Sequence, residues 1–505
     1  MVHQQQYYNR RMKTQTASSI SPLRLAAGLA GVLLALLAAW QINAAGQGLA
    51  ITRLQRDGVP MTLITPVAGA AERPLVLVGH GFAGSDVLMR GFALTLAHAG
   101  YSVISWDFDG HGANSRPASA DGLLRDAELA RAMATELNAW DGQRLAILGH
   151  SMGSGVALSF GQKYPETQAT IAVSPVGTAV TPELPRNLLL MAGALEPAFL
   201  GNARERLAEA GGEGGDPAQG TARRLQVIPG VEHVSILFAP LAYTTARAWL
   251  DGVFGVQPGA QAYRDLRMVW YALGVAGMLL AGMCLAPRPP QRVRADGRSP
   301  ASTLRLLGAL AGGAAGATLL LWLAGLAGLN LQGLFGILVG GYLLAWFGAA
   351  GVLALLLSGV RPGWPGWRAL GAGLAVFAAL WLGVGLLGQY TWLQWLLALP
   401  RLALWLPGAA LLVPWFLVFG QGASRAGWLG KTGWWLAHCA IIMTALFAAL
   451  RLSPGLGFIL LILPLFPIIL ALHGLASGPQ RNAWVVALSG AGFVAWLLLA
   501  VFPLN

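Results

Sequence analysis

Charge is scarce in this chain of 505 residues: 11% are Asp, Glu, Lys or Arg, whereas 55% are hydrophobic. A soluble domain carries about 25% charged residues, so much of this chain must be solvated by something other than water. Acid is scarcer still in one half. After Asp296 there is no Asp or Glu at all, which removes the usual carboxylate carrier of protons or sodium from that part. Cysteine is almost absent. Cys284 and Cys439 both lie in apolar runs, and residues 45–266 have none, so no disulfide can staple that stretch. No Cys/His metal spacing occurs, and no cofactor is expected.

What charge there is has a pattern. The net charge is +12, yet residues 45–266 hold 16 Lys or Arg and 20 Asp or Glu, a net of −4. The basic surplus sits in residues 1–44 and 267–505, between apolar runs. That is the footprint of the positive-inside bias, not of a nucleic-acid surface, and nucleic-acid binding is excluded on that ground.

The apolar runs are close to the roughly 20 residues that cross a bilayer. The first, 25–40, follows Arg10, Arg11, Lys13 and Arg24. It reads as a signal peptide or a retained anchor; the poor cleavage pattern after Trp40 favours an anchor. Eight more spans are expected near 268–286, 304–327, 333–357, 369–388, 402–420, 433–450, 455–474 and 483–502, with an interfacial helix at 388–401. If the first span leads outward, one set of loops carries Arg288, Arg292, Arg294, Arg298, Arg305, Arg361, Arg368, Arg425, Lys431 and Arg481. The other carries Arg267, Arg401 and Arg451 outside the segment 45–266. The expected layout is a cytoplasmic tail over 1–24, an anchor over 25–44, an extracytoplasmic domain over 45–266 and a membrane domain over 267–505, in the cell (inner) membrane. Arg401 and Arg451 read as interface anchors. His438 and His473 read as core or interfacial groups. The Pro- and Arg-rich loop 287–301 and the glycine-rich stretch 210–220 read as flexible.

Between residues 50 and 250, apolar strand-like runs alternate with helical patterns. Strands are expected in 74–84, 101–112, 144–151, 168–175, 187–197 and 224–233, with helices over 86–99, 121–140 and 152–163, and an opening hairpin over 49–66. Continuous apolar strands with helical crossovers make a mostly parallel sheet covered on both faces. The run at 145–148 ends in Gly149-His150-Ser151-Met152-Gly153, where a strand becomes a helix. So tight a turn strains the central residue and needs small neighbours. It projects the Ser151 hydroxyl at the carboxyl edge of the sheet. The following helix aims free N–H groups at the same place. His80-Gly81-Phe82 ends an earlier strand, where a backbone N–H can help bind an oxyanion. The chain order is serine, acid, histidine.

With "GHGFAGS", "WDFDGHGAN", "GHSMGSG", "AGALEP" and "PGVEHVS", residues 50–250 resemble the α/β-hydrolase superfamily, in its monoglyceride-lipase-like and S33 serine-aminopeptidase-like branch. The resemblance does not extend to the apolar half. It implies an α/β-hydrolase fold joined to a polytopic all-α membrane domain. It also implies Ser151 as nucleophile, His233 as its base, and Glu196 as the acid behind the histidine. Glu232, Asp216 and Glu183 remain alternatives for the acid, and Glu232 is expected to point away. The N–H groups of Phe82 and Met152 would form the oxyanion hole, with Gly81, Gly149 and Gly153 as the motif glycines. His80, His111 and His150 are expected to be structural, and Asp107 and Asp109 to fix their loop.

The activity implied is that of a serine hydrolase of esterase or lipase type, acting on a lipid or acyl ester with the lipid bilayer as partner. A peptidase or an acyltransferase could use the same three residues, and a transporter or lipid-handling protein with a hydrolase-like accessory domain is the reading from another class. Residues 176–186 leave little room for a cap, so the site is expected to be open, with helix 197–209 and the glycine-rich stretch as one wall.

Overall fold

The structure is a computed structural model, and it describes residues 21–68, 72–285, 302–424, 426–480 and 482–505. The basic residues before 21 and the loop 287–301 lie outside the described residues.

A single eight-stranded sheet organises residues 49–228. Its strands are β1 Leu49–Arg56, β2 Val59–Pro66, β3 Leu75–Gly79, β4 Ser102–Trp106, β5 Leu145–His150, β6 Ala169–Val173, β7 Leu188–Gly193 and β8 Arg223–Ile228. They lie in the order β1-β2-β4-β3-β5-β6-β7-β8. The β1–β2 hairpin turns at Asp57 and Gly58, both at positive φ, as a two-residue hairpin needs. β1 and β2 pair antiparallel with each other, β2 pairs antiparallel with β4, and all other pairs are parallel. β3, β4, β5, β6 and β7 are buried throughout. The pleat sends alternate residues to opposite faces. Val76 and Val78 join one core with α2 (Arg90–His98) and α6 (Pro240–Phe254). Leu75 and Leu77 join the other with α3 (Ala120–Glu136) and α4 (Met152–Lys163). The stretch 210–220 is not a loose loop: Gly214 and Arg223 exchange backbone hydrogen bonds, and the Asp216 carboxylate caps the turn over 217–219.

Among the described residues, eight helices are long and apolar enough to cross a membrane. They are α1 Pro22–Ala44, α7 Arg267–Leu285, α8 Thr303–Leu326, α9 Gly340–Ser358, α10 (beginning Gly366 and running through a π-turn to Gln389), α11 Leu399–Ala423, α12 Trp428–Leu452 and α14 Ala483–Val501. α1 lies directly against α7. A Cβ on Gly31 would stand 2.6 Å from the Gly277 carbonyl oxygen, and one on Gly277 would stand 2.6 Å from that of Gly31. Two glycines thus bring the backbones together, the small-residue mode of helix packing in lipid. α14 is buried along nearly its whole length.

The ninth span, 455–474, is not one continuous helix: it begins with turns over 454–456 and a short helix Ile459–Ile462, and α13 Leu465–Ser477 then carries the chain back to Gly478, whose carbonyl accepts from Lys431 near the start of α12. Pro454, Pro464 and Pro467 cannot donate to an i−4 carbonyl, and Gly455 and Gly457 add backbone freedom. The segment 388–401 is not an interfacial helix either. It turns after Gln389, whose side-chain oxygen accepts the N–H groups of Trp395 and Leu396, and α11 begins at Leu399.

Arg401 is also not an interface anchor. It is fully buried, donating to the carbonyls of Leu499 (2.6 Å) and Phe502 (2.7 Å) at the end of α14, and to the Gly110 carbonyl of the sheet half. Beside it, Leu504 N–H donates to Gly110 O at 2.9 Å, and Ala118 N–H to Leu504 O at 2.9 Å. The two halves are therefore docked through the loop 107–118. Arg451 is exposed. His438 accepts from the Trp415 indole at 2.7 Å, and His473 pairs with Ser489 at 3.1 Å, both as core groups.

Candidate active site

β5 delivers Ser151 to the carboxyl edge of the sheet, and α4 starts at the next residue. Ser151 has φ 52° and ψ −116°, a sparsely populated backbone state that persists only where its surroundings enforce it. Its N–H donates to Val173 O at 2.9 Å, and its own carbonyl accepts the Ser154 N–H at 2.9 Å. Gly153 is required by space: a Cβ there would lie 2.5 Å from His80 O and 2.6 Å from Gly79 O.

His233 follows β8 and a short turn. Its Nε2 lies 3.0 Å from Ser151 Oγ, and its Nδ1 lies 2.8 Å from Glu196 Oε2. All three side chains are buried. Because the carboxylate only accepts, Nδ1 carries the proton and Nε2 presents its lone pair to the serine. Glu196 precedes α5 (Pro197–Glu209). Its other oxygen, Oε1, accepts from Ser174 Oγ at 2.7 Å and from Gly193 N–H at 2.5 Å. The competing acids are occupied elsewhere. Glu232 accepts the N–H groups of Val234 and Ser235, Asp216 caps its turn, and Glu183 is exposed.

The N–H of Met152 is an orphan of the first helical turn. Phe82 N–H likewise has no acceptor among the described residues. Gly81 is tightly enclosed, with a Cβ position 2.8 Å from His150 Nδ1.

Three partners of the site were not expected from the sequence. Ser174, which braces Glu196, sits at φ 48° just after β6. Phe199 stacks on the His233 ring at 3.9 Å between centroids. His150 Nε2 donates to the His233 carbonyl at 3.0 Å. Only Ser174 had a local clue, its place at a strand end on the carboxyl edge.

The surrounding groups are structural. His80 donates from Nδ1 to Gly81 O at 2.7 Å and accepts Phe108 N–H at Nε2, 3.1 Å. It is a neutral imidazole, its pKa lowered by burial to about 4. Burial also holds His111 and His150 well below the ordinary histidine value. Asp107 accepts the N–H groups of Asp86 and Ala113, both at 2.7 Å. Burial, with the nearby Asp86 carboxylate, pushes its own carboxyl up to about 8. Asp109 pairs with Arg116 and Arg125. These groups fix the "DFDGHG" loop. No cluster of His, Cys, Asp or Glu suited to a metal exists among the described residues.

The site is open on one side and walled on the others: a cavity of about 770 Å³ adjoins Ser151, and its walls come from both halves of the chain. Phe82 meets Phe458 of the helical half edge to face, with centroids 4.8 Å apart. Phe199 of α5 lines the cavity, as expected of that helix, but the glycine-rich stretch does not.

The strand order, the parallel crossovers and the serine on its strained turn define an α/β-hydrolase fold, joined here to a helical membrane part. Residues 70–210 match the family model described as serine aminopeptidase, S33. An uncharacterised protein of Mycobacterium tuberculosis is 28% identical over 192 residues, covering 33% of this chain and 66% of that protein, just under two thirds of its length. The esterase YjfP of Escherichia coli is 31% identical over 142 residues, 26% of this chain and 56% of that protein. Among solved structures, a thermostable esterase from Pseudomonas putida is similar over 45% of this chain and 89% of its own, at 13% identity and a TM-score of 0.35.

Proposed function

We propose that this chain is a membrane-anchored serine hydrolase that cleaves an acyl ester, of lipid or acyl-glycerol type. One observation carries the reading: the hydrogen-bonded series Ser151–His233–Glu196 at 3.0 and 2.8 Å, with the serine on a strained strand-to-helix turn. Ser151 Oγ attacks the ester carbonyl carbon while His233 Nε2 takes its proton. The oxyanion is met by the N–H groups of Phe82 and Met152, each worth roughly 3–4 kcal/mol of transition-state stabilisation where such donors have been removed. The C–O bond to the alcohol breaks, and His233 returns the proton to the leaving oxygen. Water then repeats the sequence on the acyl-serine and releases the acid. Glu196 holds the Nδ1 proton throughout and stabilises the imidazolium. Neither a metal nor an organic cofactor enters any step.

The hydrolase domain is assigned to 45–266, and α1 to a retained anchor, since its glycine face is matched to α7. The distribution of Lys and Arg favours the catalytic domain outside the cytoplasm, in the inner membrane. The S33 aminopeptidase description of the matching family keeps one second reading, a peptidase with the same three residues. A fluorophosphonate probe tests the nucleophile: wild type should label and Ser151→Ala should not. Labelling that survives in Ser151→Ala removes the assignment. Acyl esters and aminoacyl amides offered side by side separate esterase from peptidase, and turnover of the amides alone overturns the ester reading.

A further inference from the structure

Among the described residues the hydrolase half has no inserted cap, yet the cavity at Ser151 has a second wall. On one side stand Leu123 and Leu124 of α3 and Val156 of α4; facing them stand Phe458, Leu460 and Leu461, from the broken segment between α12 and α13. The wall begins six residues after α12 ends at Leu452, that is, where a membrane-crossing helix leaves the apolar phase. Leu460 lines the cavity and is 54% exposed, so the cavity opens beside it. Polar side chains are few along it: Ser151, Ser159 and Thr178. The wall is tied to the reaction centre itself, because Phe458 packs on Phe82, whose N–H is one assigned oxyanion donor. A membrane helix has no need of prolines and glycines at 454–467, which deny it a straight span; a wall that must turn over a site does.

We propose that residues 454–463 are the cap of this enzyme, and that the cavity between them and α3–α4 takes the long acyl chain of a membrane lipid ester. The ester enters from the leaflet past Leu460, with its carbonyl at Ser151 and its chain between the two leucine walls. This rests on the serine-hydrolase reading above and adds its substrate class and its specificity-determining residues. A head group recognised by charge has no counterpart in this wall, which carries no charged side chain, so selection acts on the chain.

The test uses full-length wild-type protein in detergent and a hexadecyl fluorophosphonate with a diazirine at the end of its chain. After phosphonylation of Ser151 and photolysis, the peptide containing residues 458–461 should carry the cross-link. A probe bound at Ser151 whose cross-links reach no residue of 454–463 overturns the cap. Failure of wild type to label at Ser151 is a different result: it sinks the nucleophile, and the cap with it. A second measurement uses Leu461→Trp, which fills the cavity. The ratio of kcat/KM for palmitoyl over butyryl p-nitrophenyl ester should fall about tenfold or more, the scale at which apolar pockets discriminate chain size. An unchanged ratio overturns the proposal.

Discussion

In the sheet half, Arg125 donates to Asp109 and Asp126, and Arg206 to Glu205 and Glu209. In the helical half, Arg401 donates to the carbonyls of Leu499 and Phe502, and Lys431 to that of Gly478. The difference follows from composition, since beyond Asp296 there is no carboxylate to reach. A buried cation there must find backbone oxygens that no helix uses. Those occur in the last turn of a helix, where the macrodipole is also negative. α14 ends at Val501, and Arg401 sits at that end. Its second terminal nitrogen, Nη2, then donates to the Gly110 carbonyl of the other half. Scarcity of acid thus turns an arginine into the peg between the two parts of the molecule. The hydrogen-bonded series Ser151–His233–Glu196 lies in the part that has acid, and the helical part adds only apolar side chains to the cavity beside it.

The sharpest break of this division is at Ser151. Ser151→Ala should lower ester turnover by roughly 10⁵- to 10⁶-fold, as loss of a triad nucleophile does elsewhere, with the thermal midpoint in detergent unchanged. A residual rate above a thousandth of wild type would mean that the chemistry is not confined to the sheet half. Next in size is the peg. Arg401→Met leaves the Leu499, Phe502 and Gly110 carbonyls without their donor, at a cost of about 3 kcal/mol. Unfolding in detergent should show it as a lower midpoint, while an unaltered midpoint would make Arg401 a passenger.

Much of this was legible in the sequence, for a physical reason. A parallel sheet buried on both faces must be continuously apolar, and a serine that has to project from a strand end must sit on a strained turn. Both constraints are local, so β3 to β8 and the 149–153 turn are readable from short runs. Glu196 was readable through its place after β7. What stayed hidden depends on contacts distant in the chain. Ser174 matters because β6 and β7 are neighbours. Phe199 matters because α5 swings it under His233. Arg401 looked like an anchor because its partners lie 98, 101 and 291 residues away. The segment 455–474 is apolar enough for a span, and hydropathy does not show where its prolines break the helix. The second wall of the cavity stayed hidden with it, since Phe458, Leu460 and Leu461 come from that break.

Acidity should weaken the sheet half by a smaller amount. The folded pKa values of His80, His111 and His150 lie below 6.5, so the unfolded chain binds more protons. Their stability contribution is complete above about pH 6.5 and is lost as pH falls towards the folded values. Between pH 7 and about pH 5.5 each therefore loses stability, on the order of 1 kcal/mol for a histidine kept neutral in the fold. Asp107 has the opposite sign. Raised to about 8, it contributes stability that is present at low pH and lost as pH rises through that value, and so it returns part of the loss over the same interval. Three histidines against one carboxyl leave a net loss in the sheet half. A midpoint that rises on acidification to pH 5.5 would show that the buried histidines do not govern this half.

The smallest effect belongs to a kind of contact, the exposed ion pair, that is not seen among the described residues beyond Arg267. Arg56 on β1 and Glu136 at the end of α3 form an ion pair at 2.7 Å, with side chains 32% and 67% exposed. Water screens both charges, and two long side chains must be held still to meet. Such a pair contributes about 0.5 kcal/mol or less, several-fold below the peg, although its geometry is just as short. Arg56→Gln should therefore shift the midpoint by far less than Arg401→Met, and raising the salt concentration should remove what shift there is. If Arg56→Gln proved as costly as Arg401→Met, burial would not be what separates an arginine held by carbonyls from one held by a carboxylate. The contrast between the two halves would then reduce to the number of hydrogen bonds each cation makes.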